Sequence, residues 1–176
     1  MGMPMVERMC AAGIEVTVCG RRPEVIDALQ KVGAKVVPTA RDAATDVDLL
    51  ITCLFSDAQL EATMIDEGAL TAMKAGAVFA SHVTGSPALL QRLQSMRSDV
   101  TIVDAPVSGT ADQIRAGTLA VMVGCEPATL PIIQSAVGAY ANPIMHFGGL
   151  GDAMKVKLVN NILFAATMQL AGAAQA

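Results

Sequence analysis

The feature that most limits what this chain can fold into is the regular alternation of short β-branched runs with helix-length patterns. Residues 14–19, 35–37, 47–53, 77–80, 100–103, 119–124 and 143–147 read as strands. Between them, residues 6–12, 23–32, 39–45, 56–65, 68–74, 87–97 and 127–137 read as helices. Pro23 opens one of these and Gly33 closes it, while Gly13 closes the first, the expected places for both residue types. The run 47–53 is almost continuously apolar, which predicts a strand buried on both faces. Strand–helix alternation with crossovers of this length predicts an α/β fold with a doubly wound, mostly parallel sheet. Such sheets bind ligands beyond the carboxyl ends of their strands. The loops that follow strands therefore form one rim: Gly20-Arg21-Arg22, Leu54-Phe55-Ser56, Ser81 to Thr84, and Asp104 to Gly109.

The composition suits that sheet. Of 176 residues, 53% are hydrophobic but only 3% aromatic, with no Trp, and mean hydropathy is +0.50. Ala, Val, Leu, Ile and Met therefore supply the apolar mass, as in parallel sheets and the helices that cover them. The length suffices for one ordinary domain. A net charge of −4 with no basic run argues against a nucleic-acid surface. No uncharged apolar stretch reaches the roughly 18 residues of a membrane span, and residues 1–5 lack the basic start of a signal peptide. Cys10, Cys19, Cys53 and Cys125 lie far apart, so they read as small core residues of a cytoplasmic protein rather than disulfides or metal ligands.

Near the C-terminus, Gly148-Gly149-Leu150-Gly151 opens a long helix in which polar groups fall into an apolar run. At 3.6 residues per turn, Lys157, Asn160, Asn161 and Phe164 share one face. Lys155 lies about 200° away around the axis and points elsewhere. A lysine and two carboxamides on an apolar helix need partners if they are buried, and a substrate could be one. The plainer reading is a helix-start lysine reaching solvent. Lysine ordinarily titrates at about 10.4, too high for a base near neutrality, but the flanks Val156, Leu158 and Val159 could desolvate Lys157 and lower it.

Elsewhere on the rim, Cys19 and Gly20 offer no acid to a ribose, and Arg21 and Arg22 follow. Arginine there suits a 2′-phosphate, although two solvated arginines with Glu24 beside them would read the same way. His82 reads as a solvated loop histidine. In Asp104 to Gly109, the serine hydroxyl and the following amides could hold a carboxylate.

Four stretches, taken together and in order, resemble the β-hydroxyacid dehydrogenases, the family of 3-hydroxyisobutyrate dehydrogenase, tartronate semialdehyde reductase and 6-phosphogluconate dehydrogenase. Asp104-Ala105-Pro106-Val107-Ser108-Gly109 with Ala116-Gly117-Thr118-Leu119 is similar to the family's substrate signature. Gly149 to Asn161 is similar to its catalytic-lysine signature. Met1 to Met5 resembles the end of its glycine-rich cofactor turn, and Ser81 to Pro87 its fourth-strand loop. Three departures stand out: only Gly2 of the glycine turn is present, Val83 replaces the usual serine, and Thr110 replaces a second glycine.

The resemblance implies a Rossmann-like NAD(P)-binding domain over residues 1–148, lacking its first strand. Residues 149–176 would begin a long inter-domain helix leading into an absent all-helical domain. It implies an NAD(P)-dependent oxidoreductase interconverting a small 3-hydroxy acid and its semialdehyde or keto form. Lys157 would be the general acid/base. Ser108, Gly109 and Thr110 would hold the substrate with Asn161 and Asn160. Gly2, Met3, Arg21, Arg22, Leu54, Phe55 and Thr84 would line the cofactor, expected to be NADP rather than NAD, with no metal. The long helix would also make homo-oligomers. A non-catalytic remnant or regulatory domain that binds a nucleotide or a partner is the alternative.

Overall fold

The computed structural model describes residues 1–175. In chain order the elements are α1 (Gly2–Ala11), β1 (Thr17–Cys19), α2 (Pro23–Lys31), β2 (Lys35–Val37), α3 (Ala40–Ala44) and β3 (Leu49–Thr52). Next come α4 (Asp57–Glu61), a π-helical turn Ala62–Asp66, α5 (Ala69–Ala72), β4 (Val78–Ser81), α6 (Pro87–Met96) and β5 (Thr101–Asp104). The last third holds β6 (Val107–Ser108), α7 (Ala111–Ala116), β7 (Leu119–Val123), a 3₁₀ turn Pro127–Thr129, α8 (Leu130–Val137), β8 (Ala141–His146) and α9 (Asp152–Ala174). Local chemistry sets several helix starts. Thr39, Ser56 and Ser86 cap α3, α4 and α6 with their hydroxyls. Pro23 and Pro87 occupy first-turn positions that need no amide hydrogen.

The central strands β3, β4 and β5 run parallel, in the register Leu49↔Val78↔Thr101. Successive residues of β4 serve opposite faces, as the strand period of two requires. Val78 and Ala80 join a layer built on α1, α7 and α8 with Met5, Ile114, Ile133 and Val137. Phe79 joins the opposite layer, built on α4, α5 and α6 with Leu60, Leu70, Leu90 and Leu93. An antiparallel bridge between Asp104 and Gly124 leads from β5 toward β7, which pairs with β6 antiparallel and β8 parallel. This is a Rossmann-like doubly wound sheet with a long helix at its end.

The sheet is split. β1 pairs with β2 alone and β3 with β4 alone, so their remaining edges are unpaired. Both edges line one slot of about 920 Å³, with Met5, Val6 and Met9 of α1 along it. In consequence β3 is mostly half-buried rather than enclosed on both faces. The strand expected from its apolar run is present, but one neighbour short. The Thr52 hydroxyl is the buried side-chain polar atom without a partner among the described residues.

Other expectations need correction. Residues 1–5, read as the end of a glycine turn, are already helix from Gly2. The segment 107–116, to which no element is assigned from sequence, forms β6 and α7. Of the cysteines, only Cys125 is buried; Cys10 and Cys19 are half-buried and Cys53 is exposed. Among the described residues no helix is long and apolar enough to cross a membrane.

Candidate functional site

The rim at the carboxyl ends of β4, β5 and β7 is organised by one buried carboxylate. Asp104, the last residue of β5, is fully buried. Its Oδ1 accepts a hydrogen bond from the Gly151 amide at 2.7 Å and its Oδ2 one from the Met154 amide at 2.6 Å. Gly151 is the N-cap of α9 and has no side chain to satisfy that turn. An aspartate 47 residues earlier therefore does the capping and also complements the positive end of the helix. Burial raises the Asp104 pKa, while the two backbone donors oppose the rise. Gly151 has φ +95° and stands where a Cβ would lie 3.1 Å from that of Pro87, so the approach of α6 to α9 requires glycine.

Lys157 follows Met154 by three residues and is only 8% exposed. Among the described residues its ammonium makes no hydrogen bond or ion pair, and burial lowers its pKa. Lys155 behaves as helical geometry demands: it is exposed and paired with Asp152 at 2.9 Å. The face expected to carry polar partners beside Lys157 is open instead. Asn160 and Asn161 are exposed, and Phe164 is 67% exposed. Cover on α9 stops at Lys157, because the helix runs past the edge of the domain.

Ser108 sits in β6, half-buried, opposite Ala120 of β7. Gly109 has φ +143°, and a Cβ there would lie 2.6 Å from Gln113 Oε1 and 2.9 Å from Leu119. No other residue fits that turn without displacing one of them. Thr110 is a helix cap: its hydroxyl accepts from the Gln113 amide and its own amide donates to Gln113 Oε1 at 2.9 Å. This commits the hydroxyl to the start of α7.

Thr84 is exposed on the loop after β4. That loop is docked onto α9, since the Gly85 amide reaches Met154 Sδ at 3.2 Å. His82 beside it is not the solvated histidine expected. It is buried, with Nδ1 2.6 Å from the Ala105 carbonyl and Nε2 2.7 Å from Tyr140 Oη. Burial pushes its pKa down to about 4. The neutral ring then donates from Nδ1 to Ala105 and accepts the Tyr140 hydroxyl at Nε2. The pair ties the Thr84 loop, the Ser108 loop and the turn before β8 together.

Across the slot lies the other half of the rim. The first turn of α1 holds no acid, and its N-cap Met1 makes no side-chain cap bond, so the Gly2 and Met3 amides are open donors. Such a helix start fits a pyrophosphate. Leu54 is half-buried and Phe55 95% exposed after β3. Arg21 and Arg22 line a cleft of about 440 Å³ with Gly20, Leu54 and Thr63. Arg22 lies 3.8 Å from Glu24, as expected, but Arg21 is gripped by Glu67 through two contacts of 2.5 and 2.7 Å. Nothing in the sequence around Glu67 signals that pairing. Tyr140 and the capping role of Asp104 were equally silent, because their partners lie 58 and 47 residues away. No group of three or more candidate metal ligands occurs among the described residues.

A doubly wound sheet with an open helix start, arginines after its first strand and a buried lysine at its rim defines a dinucleotide-binding domain of the dehydrogenase type. Residues 1–149 match the family model for the NAD-binding domain of 6-phosphogluconate dehydrogenase. The chain belongs to the β-hydroxyacid dehydrogenase family. It is 30% identical over 171 residues to the 2-(hydroxymethyl)glutarate dehydrogenase of Eubacterium barkeri, covering 96% of this chain and 57% of that protein. It is 28% identical over 171 residues to human mitochondrial 3-hydroxyisobutyrate dehydrogenase, covering 96% of this chain and 51% of that one. The solved structure of Mycobacterium tuberculosis 3-hydroxyisobutyrate dehydrogenase with L-serine superposes with a TM-score of 0.86 at 28% identity, over 94% of this chain and 57% of that one. The chain thus spans little more than half the length of these relatives.

Proposed function

We propose that this chain is the cofactor-binding part of an NAD(P)-dependent oxidoreductase that interconverts a small 3-hydroxy acid and its aldehyde or ketone. The observation that carries the reading is the buried, unpaired Lys157 on a helix anchored by Asp104. A bound nicotinamide would accept or return hydride at C4. Lys157 would take the hydroxyl proton as hydride leaves carbon, and return it in the reverse direction. Desolvation serves that role by bringing its pKa toward neutrality. Ser108 and the Gly109 amide would hold the substrate carboxylate, with Thr110 shaping the turn. Asn160 and Asn161, exposed here, would orient substrate once that face is covered. Thr84 would face the nicotinamide, the Gly2 and Met3 amides the pyrophosphate, and Leu54 and Phe55 the adenosine half. Arg21 and Arg22 favour NADP over NAD. The names of these relatives, all acting on or binding small hydroxy acids, support the substrate class.

The domain arrangement belongs to the same proposal. Residues 1–148 form the dinucleotide domain, and the slot between β1 and β3 takes one further extended segment. Residues 149–176, the last of them outside the described residues, begin the inter-domain segment. The exposed Leu158, Ile162, Leu163, Phe164 and Leu170 of its helix dock against a helical domain and a second copy. The split sheet also favours a second reading, a domain that binds nucleotide without turnover. Two measurements decide: NADPH fluorescence on titration, and nicotinamide absorbance with a panel of small 3-hydroxy acids. Lys157→Ala should lower turnover about 10²–10⁴-fold and leave NADPH affinity unchanged. Unchanged turnover refutes the lysine's role, and binding without any turnover supports the second reading.

A further inference from the structure

We infer that Glu67 sets how strongly the adenosine end of the site takes a 2′-phosphate, by holding the Arg21 guanidinium. The inference rests on the cofactor reading above and adds a residue to it. Both oxygens of the Glu67 carboxylate contact Arg21 Nη2, at 2.5 and 2.7 Å, at the mouth of the cleft lined by Cys19, Gly20, Arg22 and Leu54. Arg21 is the group that would pair with a phosphate in that cleft, and the phosphate there meets a guanidinium whose Nη2 is already held by a carboxylate. A 2′-phosphate entering there either displaces Glu67 from Nη2 or takes the remaining guanidinium donors beside its negative charge, and both weaken its hold.

The backbone aims Glu67 at that cleft. It directly succeeds the π-helical turn Ala62–Asp66, and its amide closes that turn on the Ala62 carbonyl at 2.8 Å. The extra residue of a π turn re-aims the residues C-terminal to it, and such turns recur at functional sites. Here the effect is to bring a residue 46 positions away back over the end of β1. Arg22 is tied only loosely, to Glu24, so it is free to meet the same phosphate. Glu67 therefore acts as a counterweight, lowering the preference for a phosphorylated ribose that two adjacent arginines would give alone.

Titration calorimetry with 2′,5′-ADP and 5′-AMP tests this on the chain as it stands. Glu67→Gln should tighten 2′,5′-ADP about fivefold, the scale of one exposed ion pair, and change 5′-AMP less than about twofold. The gain should vanish in Glu67→Gln/Arg21→Ala, since nothing remains to be released. If Arg21→Ala loosens 2′,5′-ADP but Glu67→Gln leaves the ratio of the two ligands unchanged or reversed, the Glu67 inference fails and the cofactor reading stands. If Arg21→Ala does not alter that ratio, or neither ligand binds, the cofactor reading fails and takes this inference with it.

Discussion

The two halves of the rim are built to different standards. Where β4, β5 and α9 meet, every residue of β4 is buried, Asp104 is doubly hydrogen-bonded and His82 uses both ring nitrogens. Across the slot, β1 is only half-buried, Thr52 keeps an orphaned hydroxyl, and Arg21 is held by one exposed pair. The first half pairs its strands and satisfies Asp104 and His82, although the α9 face beyond Lys157 is open, whereas the second has unpaired strand edges. The lesson is that one half of such a rim can be preorganised independently of the other. Asp104 of β5 fixes the start of the helix that carries Lys157, and that anchor does not involve β1.

That contrast should be largest in amide exchange. Slot-facing amides of β1 and β3 should exchange at least about 100-fold faster than those of β4 and β5, as edges do relative to core strands. Equal protection, measured by mass spectrometry, would mean the slot is closed in solution. Next in size, Asp104→Ala strips a charged acceptor from two buried amides and should cost about 3–5 kcal/mol in urea unfolding. A loss below about 1 kcal/mol would show that α9 is anchored by other contacts.

His82 gives a pH test of the same half. Its folded pKa, about 4, lies below the ordinary histidine value of 6.5, so the unfolded state takes up a proton first as pH falls. Stability is therefore full above pH 6.5 and is lost progressively down to pH 4, by about 3 kcal/mol in total. The urea midpoint of a His82→Phe variant should lack that slope between the two values. An identical slope would assign the acid sensitivity to other groups. The smallest effect belongs to the open half. Thr52→Val removes a hydroxyl that already lacks a partner, so stability should hold or rise by up to about 1 kcal/mol. A clear loss would reveal a partner for Thr52, water or chain, in solution.

Much of the fold is legible in the sequence because its signals are local. β-Branched runs and capping residues place all seven expected strands, and 3.6-residue periodicity separates Lys157 from Lys155. The misreadings have different causes. Chain neighbours alone suggest a solvated His82, but the histidine is enclosed by Ala105 and Tyr140. Thr110 is committed to the start of α7 through Gln113, a local Thr-x-x-Gln capping pattern that heads a helix of only six residues. Asn160 and Asn161 do share the face expected of them, yet a face has partners only where something covers it.

By itself, then, the sequence determined the alternating elements, the rim they share and the residue types offered there, because backbone propensity and side-chain period act over a few residues. Which of those residues are buried, paired or open was decided by tertiary structure. Asp104 meeting the start of α9, His82 meeting Tyr140 and Glu67 meeting Arg21 all join groups more than 40 residues apart. Burial and charge pairing depend on distance in space, and no local pattern encodes it.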